Sequence, residues 1–338
     1  MTPLVSAIVS TYKSEKFIRG KLEDLQKQTL GDRLEIVIIN SGSPQDEDTI
    51  IREFMKDDPR IRYIKTEERE TIYKAWNRGI ASATGKYITN SNTDDRLHPD
   101  ALRILADTLE QHPEAGMVYA DQYITPEENI HFESVMARET FFRRDYSRIG
   151  LFTGYLPGPQ SMWRASFHHE HQLWFDDKFE VAGDYDFAMK VAEISSMIRI
   201  DGVLGSYFRS PEDANKEYQN RELTANETYA IKEKYVRRFL QSRSDAELEA
   251  LKKEWMFFMK LPHILYVGFF RLMARIHPRT LYPSRLFYAW LLSLYFEEQG
   301  AFDQAAEICT RYKNRDKEGL LLRQLARLQT RSQESSVI

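Results

Sequence analysis

The sequence predicts an α/β protein in which a doubly wound, mostly parallel sheet is followed by a helical region. Three observations carry this. Short apolar runs alternate with stretches of helical apolar spacing from Leu4 to Ala120. Runs such as Glu35-Ile36-Val37-Ile38-Ile39 are apolar almost throughout, which suits strands covered on both faces. Past Leu223 the strand-like runs give way to helical periodicity.

The first strand is Leu4–Ser10, followed by a polar break at Thr11-Tyr12-Lys13-Ser14 and a helix over Phe17–Gln28, where Phe17, Ile18, Leu22 and Leu25 share a face. A strand at Glu35–Ile39 ends in the turn Asn40-Ser41-Gly42-Ser43-Pro44, and a helix runs from Asp48 to about Met55. Ile61–Ile64 is a third strand, and Ile72–Ala83 a helix closed by Gly85. The strand beginning at Tyr87 runs out into Asn90-Ser91-Asn92-Thr93-Asp94-Asp95, after which Arg96–Asp100 opens a helix to about Gln111. A strand at Gly116–Ala120 follows. The Gly- and Pro-rich stretch Gly150–Gln160 reads as a shaped loop, and a helix begins near Asp184 and Asp186. Ile198–Ile200 and Val203–Phe208 read as closing strands.

Ligands of such sheets sit outside the carboxyl ends of the strands. The breaks at Ser10–Tyr12, Asn40–Ser43 and Asn92–Asp95 all follow strands, so they are expected to gather on one edge. Adjacent carboxylates at Asp94 and Asp95 repel unless a cation sits between them, and hard oxygen ligands suit Mg²⁺ or Mn²⁺. The alternative is that both only cap the next helix.

Composition narrows the class. The chain has 338 residues, with Lys+Arg 47 against Asp+Glu 51, a balance that does not suggest a nucleic-acid binder. Aromatic residues make up 12%, which argues against disorder except at the ends. Cys309 is the single cysteine, so an internal disulfide is impossible and a reducing compartment fits. There is no signal-peptide pattern and no spanning apolar run, so the expectation is a cytoplasmic protein, free or peripheral at the inner face of a membrane. Residues 10 to 19 contain no glycine, which argues against the phosphate loop of a nucleotidyltransferase, and no Gly-x-Ser-x-Gly elbow marks a hydrolase. His168-His169-Glu170-His171 has the composition of a metal site but reads better as a solvated turn or helix end.

The order strand-Thr11-Tyr12, strand-Asn40-Ser41-Gly42-Ser43, Ile72-Tyr73-Lys74-Ala75-Trp76-Asn77-Arg78-Gly79-Ile80, Asn92-Thr93-Asp94-Asp95 and Gly183-Asp184-Tyr185-Asp186 resembles an inverting GT-A glycosyltransferase of the family 2 class over roughly residues 3 to 235. The resemblance implies a Rossmann-like GT-A domain and a UDP-, GDP- or dTDP-linked sugar donor. It places Ser10, Thr11, Tyr12, Asn40, Tyr73, Asn77, Asn92 and Asp94 against that donor. Asp94 would bind the metal, Mn²⁺ or Mg²⁺, and Asp184 would be the catalytic base. Asp95, Asp186, Glu212 and Asp213 are secondary candidates. Asn40 and Ser41 stand where the class usually has acids, and Asn92 stands at the first acid of its Asp-x-Asp motif. The acceptor implied is a growing cell-surface glycan, free or lipid-linked. Alternatives are glycosylation of a protein or peptide, with the helical tail holding it, and a silent sugar-nucleotide-binding scaffold.

The domain reading is a glycosyltransferase domain at 1–235, a helical domain at 236–331 and a frayed tail at 332–338. Residues 286–317 look like one tetratricopeptide-type hairpin, which would serve a protein partner or homo-oligomer contact. Residues 231 to 285 carry an excess of basic residues beside Trp255–Pro262 and Ile264–Met273, a pattern suited to a membrane surface or to packing on the catalytic domain.

Overall fold

The computed structural model describes residues 2–136, 139–210, 219–317 and 319–335. It divides into two compact units. The first comprises residues 1–146 and 155–224, and the second residues 147–154 with 225–338. The boundary expected at 235 falls inside one uninterrupted helix, Arg221–Gln241.

The first unit is built on a sheet of nine strands: β1 (Val5–Thr11), β2 (Leu34–Asn40), β3 (Ile61–Lys65), β4 (Tyr87–Asn90), β5 (Arg96–Leu97), β6 (Ala115–Thr125), β7 (Glu139–Phe141), β8 (Met162–Arg164) and β9 (Ser196–Phe208). Their order is β3-β2-β1-β4-β8-β6-β9-β5, with β7 on β6. The four strands from β3 to β4 are parallel, as the alternation predicts. β8 lies antiparallel between β4 and β6. At three residues directly after a Gly/Pro stretch, β8 is too short to show periodicity. The two closing strands are a single strand, β9, irregular at its middle.

Every residue of β2 is buried, so both faces are covered. On one face Val5, Ala7, Val9, Ile36 and Ile38 meet Ile18, Leu22 and Leu25 of α1 (Glu15–Gln26) and Leu102, Leu105 and Leu109 of α4 (Ala101–Gln111). α2 (Glu47–Asp57) adds Ile51 to that layer. On the other face α3 (Ile72–Ser82) sits so close that a methyl group on Gly79 would lie 2.6 Å from Ile8.

Two local expectations are corrected. Arg96 and Leu97 do not open a helix: they pair with Ser206 and Gly205 of β9, and α4 begins at Ala101. Gly85 is not a helix cap. Its place next to β1 is required by close approach, since a Cβ there would stand 2.6 Å from the backbone nitrogen of Ser6 and 2.8 Å from the carbonyl carbon of Val5.

The second unit is helical. The first four residues of the loop expected at 150–160 belong instead to α5 (Arg148–Thr153), capped by the Ser147 hydroxyl, and Phe152 packs edge-on against Phe239, ring centroids 5.5 Å apart. α6 (Ser166–His169) and α7 (Gly183–Ile194) belong to the first unit. After α8 (Arg221–Gln241) come α9 (Asp245–Lys260), α10 (His263–Ile276), α11 (Arg285–Glu298), α12 (Phe302–Tyr312) and α13 (Leu320–Ser335). α11 is buried nearly all round, as expected of a helix apolar on every side. Arg237 of α8 binds Glu233, Glu297 and Glu298 at 2.6–2.8 Å. Within the span read as a tetratricopeptide-type hairpin, α11 and α12 are consecutive helices joined by a turn at Gly300 with φ +73°. The tail expected from 332 continues α13 as far as Ser335.

Because two of the three atoms facing Gly85 are β1 backbone, the third being the Ser6 hydroxyl, they cannot all swing aside. Gly85→Ala is expected to destabilise the protein by about 1–3 kcal/mol, read as a lowered urea midpoint with an unchanged slope; an unchanged midpoint would refute the close-approach reading.

Candidate active site

The strand registers set the site. Thr11 is level with Asn40 across β1–β2, and Ile8 with Asn90 across β1–β4, so the three polar breaks leave the sheet at one edge. They border a cleft of about 1580 Å³. Ser10, Tyr12, Tyr73, Asn92, Asp94 and Asp184 all line it.

Below the β1 and β2 turns lies Glu47, fully buried at the start of α2. Its Oε1 accepts from the Ser14 backbone N–H at 2.8 Å and the Ser43 hydroxyl at 2.8 Å, with the Thr11 hydroxyl at 3.5 Å. Ser43 in turn accepts from the Lys13 N–H at 3.0 Å; Lys13 holds a left-handed φ of 54°, and both it and Tyr12 line the cleft. The Arg69 guanidinium stands 4.5 Å from the centre of the Tyr12 ring.

Several predicted residues lie behind the cleft wall. Thr11 is buried against Glu47. Asn40 is buried too: its oxygen accepts from the Ser43 N–H at 2.9 Å and its amide donates to the Tyr63 hydroxyl at 3.1 Å. Ser41 takes the place beside the cleft. Asn77 clamps the backbone of Phe175, donating to its carbonyl at 2.8 Å and accepting from its N–H at 3.1 Å. Asp186 is buried and paired with Lys190 at 2.7 Å, one turn along α7. Glu212 and Asp213 lie outside the described residues.

The two carboxylates of the acidic turn are separated by direction. Asp94 faces the cleft. Asp95 faces inward and is buried, its oxygens accepting from the Phe208 N–H at 3.1 Å and the Asn92 amide at 3.3 Å. Burial, and then the charge of Asp94, pushes the Asp95 carboxyl up to about 7; burial also raises Asp94. Neither residue caps α4, whose N-cap position is Asp100. Beneath the turn Arg96 is buried and donates to the carbonyls of Thr93 at 2.8 Å and Asp95 at 2.7 Å. Lys21 is buried beside it, 3.2 Å from Asp24.

Asp184 is the second residue of α7, and Tyr73 fixes the loop before it by donating to the Val181 carbonyl at 2.6 Å. Arg143 and Tyr155 also line the cleft and were not predicted. Arg143 is held by its N–H to Asp121 at 2.7 Å and its Nε to Gln122 at 3.0 Å, with its guanidinium 3.8 Å from the Phe141 ring. The sequence signal for it was the pairing of aromatic and basic residues in Phe141-Phe142-Arg143-Arg144.

A divalent cation fits here in one way. Asp94 offers one carboxylate to the cleft, and Mg²⁺-type sites often take one or two carboxylates and fill the remaining positions from substrate phosphates and water. Among the described residues no three His, Cys, Asp or Glu side chains converge on a metal position. His168 and His169 close α6 and residues 169–171 are exposed, the helix end expected, but the side chain of His168 lies in the core. Its Nε2 accepts from Trp163 at 2.8 Å and its ring stacks on Phe187, while burial pushes its pKa down to about 4.

Residues 6–170 match the family described as Glycosyl transferase family 2. The chondroitin synthase of Escherichia coli is 28% identical over 206 residues, 60% of this chain and 28% of that protein. The chain spans less than two thirds of the length of the curated relatives it matches. S. aureus TarS 1-349, solved in complex with UDP-GlcNAc, is similar with a TM-score of 0.60 at 15% identity, over 92% of each chain. The Pyrobaculum calidifontis mannosyltransferase PcManGT, solved with GDP-Man and Mn²⁺, has a TM-score of 0.52 at 16% identity, over 97% of this chain and 87% of that one. At these identities the structural likeness concerns the fold.

Two outcomes follow. The unfolded chain has an ordinary imidazole at residue 168, so between about pH 6.5 and pH 4 it binds a proton that the native state refuses. Stability is expected to fall across that window as pH drops, by up to about 3 kcal/mol; a native His168 ring titrating near 6.5 by NMR would refute this. Asn92→Asp would set a second charge against Asp95, with an expected loss of about 1–3 kcal/mol at pH 8 that shrinks as pH is lowered and the pair takes up a proton. Urea midpoints at both ends of that range check it.

Proposed function

We propose that this chain, whose residues 6–170 match the family described as Glycosyl transferase family 2 and which has a GT-A-like fold, transfers a sugar from a nucleotide-sugar donor to an acceptor hydroxyl with inversion. The observation that carries the reading is the convergence of Tyr12, Asp94 and Asp184 on one cleft at the carboxyl edge of the sheet.

Tyr12, with Arg69 over its ring, offers the donor base a stacking surface. Ser10 and Asn92 line the path to Asp94, which would take the diphosphate side. A divalent ion held by Asp94 and the donor phosphates would stabilise the charge that develops on the leaving diphosphate. Asp184 accepts the proton of the acceptor hydroxyl as its oxygen bonds to the anomeric carbon. The bond from that carbon to the phosphate oxygen breaks, and the nucleoside diphosphate leaves from the opposite face, which inverts the configuration. The start of α7 favours the charged form of Asp184.

The donor is a UDP-, GDP- or dTDP-linked sugar. UDP-GlcNAc in the TarS complex and GDP-Man in the PcManGT complex support this range. The acceptor is a growing glycan, free or lipid-linked, a reading supported by the chondroitin synthase among the relatives.

Calorimetric titration with UDP-GlcNAc, GDP-Man and a dTDP-sugar, each with and without Mn²⁺, tests the donor reading; no binding to any of them would remove it. Asp184→Asn is expected to lower kcat at least about a hundredfold while donor affinity stays within about twofold. Full turnover by that variant would exclude Asp184 as base. Asp94→Asn is expected to abolish the Mn²⁺-dependent part of nucleotide binding in the same titration.

A further inference from the structure

α10 (His263–Ile276) exposes apolar residues that the second unit leaves uncovered. Leu265, Phe269, Leu272 and Ile276 recur at helical spacing along one stripe, with 59%, 46%, 54% and 57% of their surface exposed. Ile264 is 83% exposed at the edge of the stripe, and Phe257 of the preceding helix is 59% exposed. The opposite side of α10 is the one that packs. The Tyr266 hydroxyl donates to the Pro283 carbonyl at 2.6 Å, and the Phe270 ring lies 5.2 Å from Tyr282 and 5.6 Å from Phe258. The stripe is therefore a second apolar face on a helix already anchored by its first.

Charge says what covers it. From Trp255 to Phe296 the sequence contains Lys260, Arg271, Arg275, Arg279 and Arg285 and no aspartate or glutamate. Arg271 and Arg275 are exposed on α10, along the edge of the stripe that carries Ile264. A second copy docking face to face pairs the patch with itself, so it would bring a second set of these cations to the contact and no acid from residues 255–296 to answer them. An anionic surface with an apolar interior meets both features at once.

We propose that α10 is a membrane-surface helix which lays Leu265, Phe269, Leu272 and Ile276 into the interface of an anionic bilayer, with Arg271 and Arg275 on the lipid head groups. It lies on the membrane and does not cross it. At 14 residues it is about 21 Å long against a hydrocarbon core of about 30 Å. Among the described residues no single helix is long and apolar enough to span; α9 and the body of α10 reach that length and composition only together, across a bend of 109°. The inference is independent of the transfer reaction.

The test is co-sedimentation of the full chain with phosphatidylcholine vesicles, with and without phosphatidylglycerol, at low and high salt. Binding is expected only to the phosphatidylglycerol vesicles, weakening as salt rises. Arg271→Gln with Arg275→Gln is expected to lower the partition constant about thirtyfold, about 1 kcal/mol for each arginine. Leu265→Glu with Leu272→Glu should remove binding while circular dichroism and donor titration stay as in the parent. Failure of the folded parent chain to bind phosphatidylglycerol vesicles at low salt would overturn the proposal. So would a change of sedimentation mass in the Leu265→Glu, Leu272→Glu variant with vesicle binding intact, which would make the stripe a contact between copies.

Discussion

The candidate site rests on the buried charges under the acidic turn. Lys21, Asp24, Asp95 and Arg96 are all shielded from water. Taking such charges out of water costs several kcal/mol each, so they persist only where every one is answered. Asp24 answers Lys21 and also accepts from the Leu97 N–H at 3.1 Å. Arg96 holds the carbonyls of the turn and the Asn129 side chain at 2.6 Å. Gln160 reaches the Arg96 and Ser206 carbonyls, both at 3.1 Å. One cluster thus fastens α1, the acidic turn, the loop before β8 and the end of β9. The short β5 exists to bring Arg96 and Leu97 to β9, and α1 makes room for the guanidinium at Gly20, where a Cβ would stand 2.5 Å from Arg96 Nη2.

A second anchor works in the same way under the β1 and β2 turns. Glu47 ties the turn after β1 to the turn after β2. Its contacts cross more than thirty positions of sequence. The family resemblance places Asn40 against the donor. Its side chain is instead consumed by Ser43 and Tyr63, and the cleft wall on that side is formed by Ser41, Tyr12 and Arg69.

What was legible in the sequence was whatever is local or periodic. The parallel strands showed as uniform apolar runs, and the convergence of their polar ends followed from topology alone. β8, α5 and the true role of Gly85 were not legible. β8 is defined by its two antiparallel neighbours and not by its own three residues. α5 is a single capped turn and a half whose partner, Phe239, lies far along the chain. Gly85 stands near a helix end, where glycine usually signals a cap, but here it is the nearness of the β1 backbone that excludes a side chain. Arg143 escaped notice because its place is set by Asp121, Gln122 and Phe141 together.

The Asn92 substitution, which at the level of sequence counts against metal binding, has a physical reason once Asp94 and Asp95 are told apart. Asp94 lines the cleft while Asp95 is buried against the Phe208 N–H, so the two carboxylates do not face one ion together. Asp95 points down to the buried cluster, and its carboxyl is already pushed up to about 7 by burial and by Asp94. The residue at 92 touches that same carboxylate. An acid there would add a third negative charge to a pocket whose two cations are already committed. An asparagine donates a hydrogen bond to Asp95 and still presents itself to the cleft. The acidic turn therefore keeps one outward carboxylate, Asp94, and spends the other on holding the turn in place.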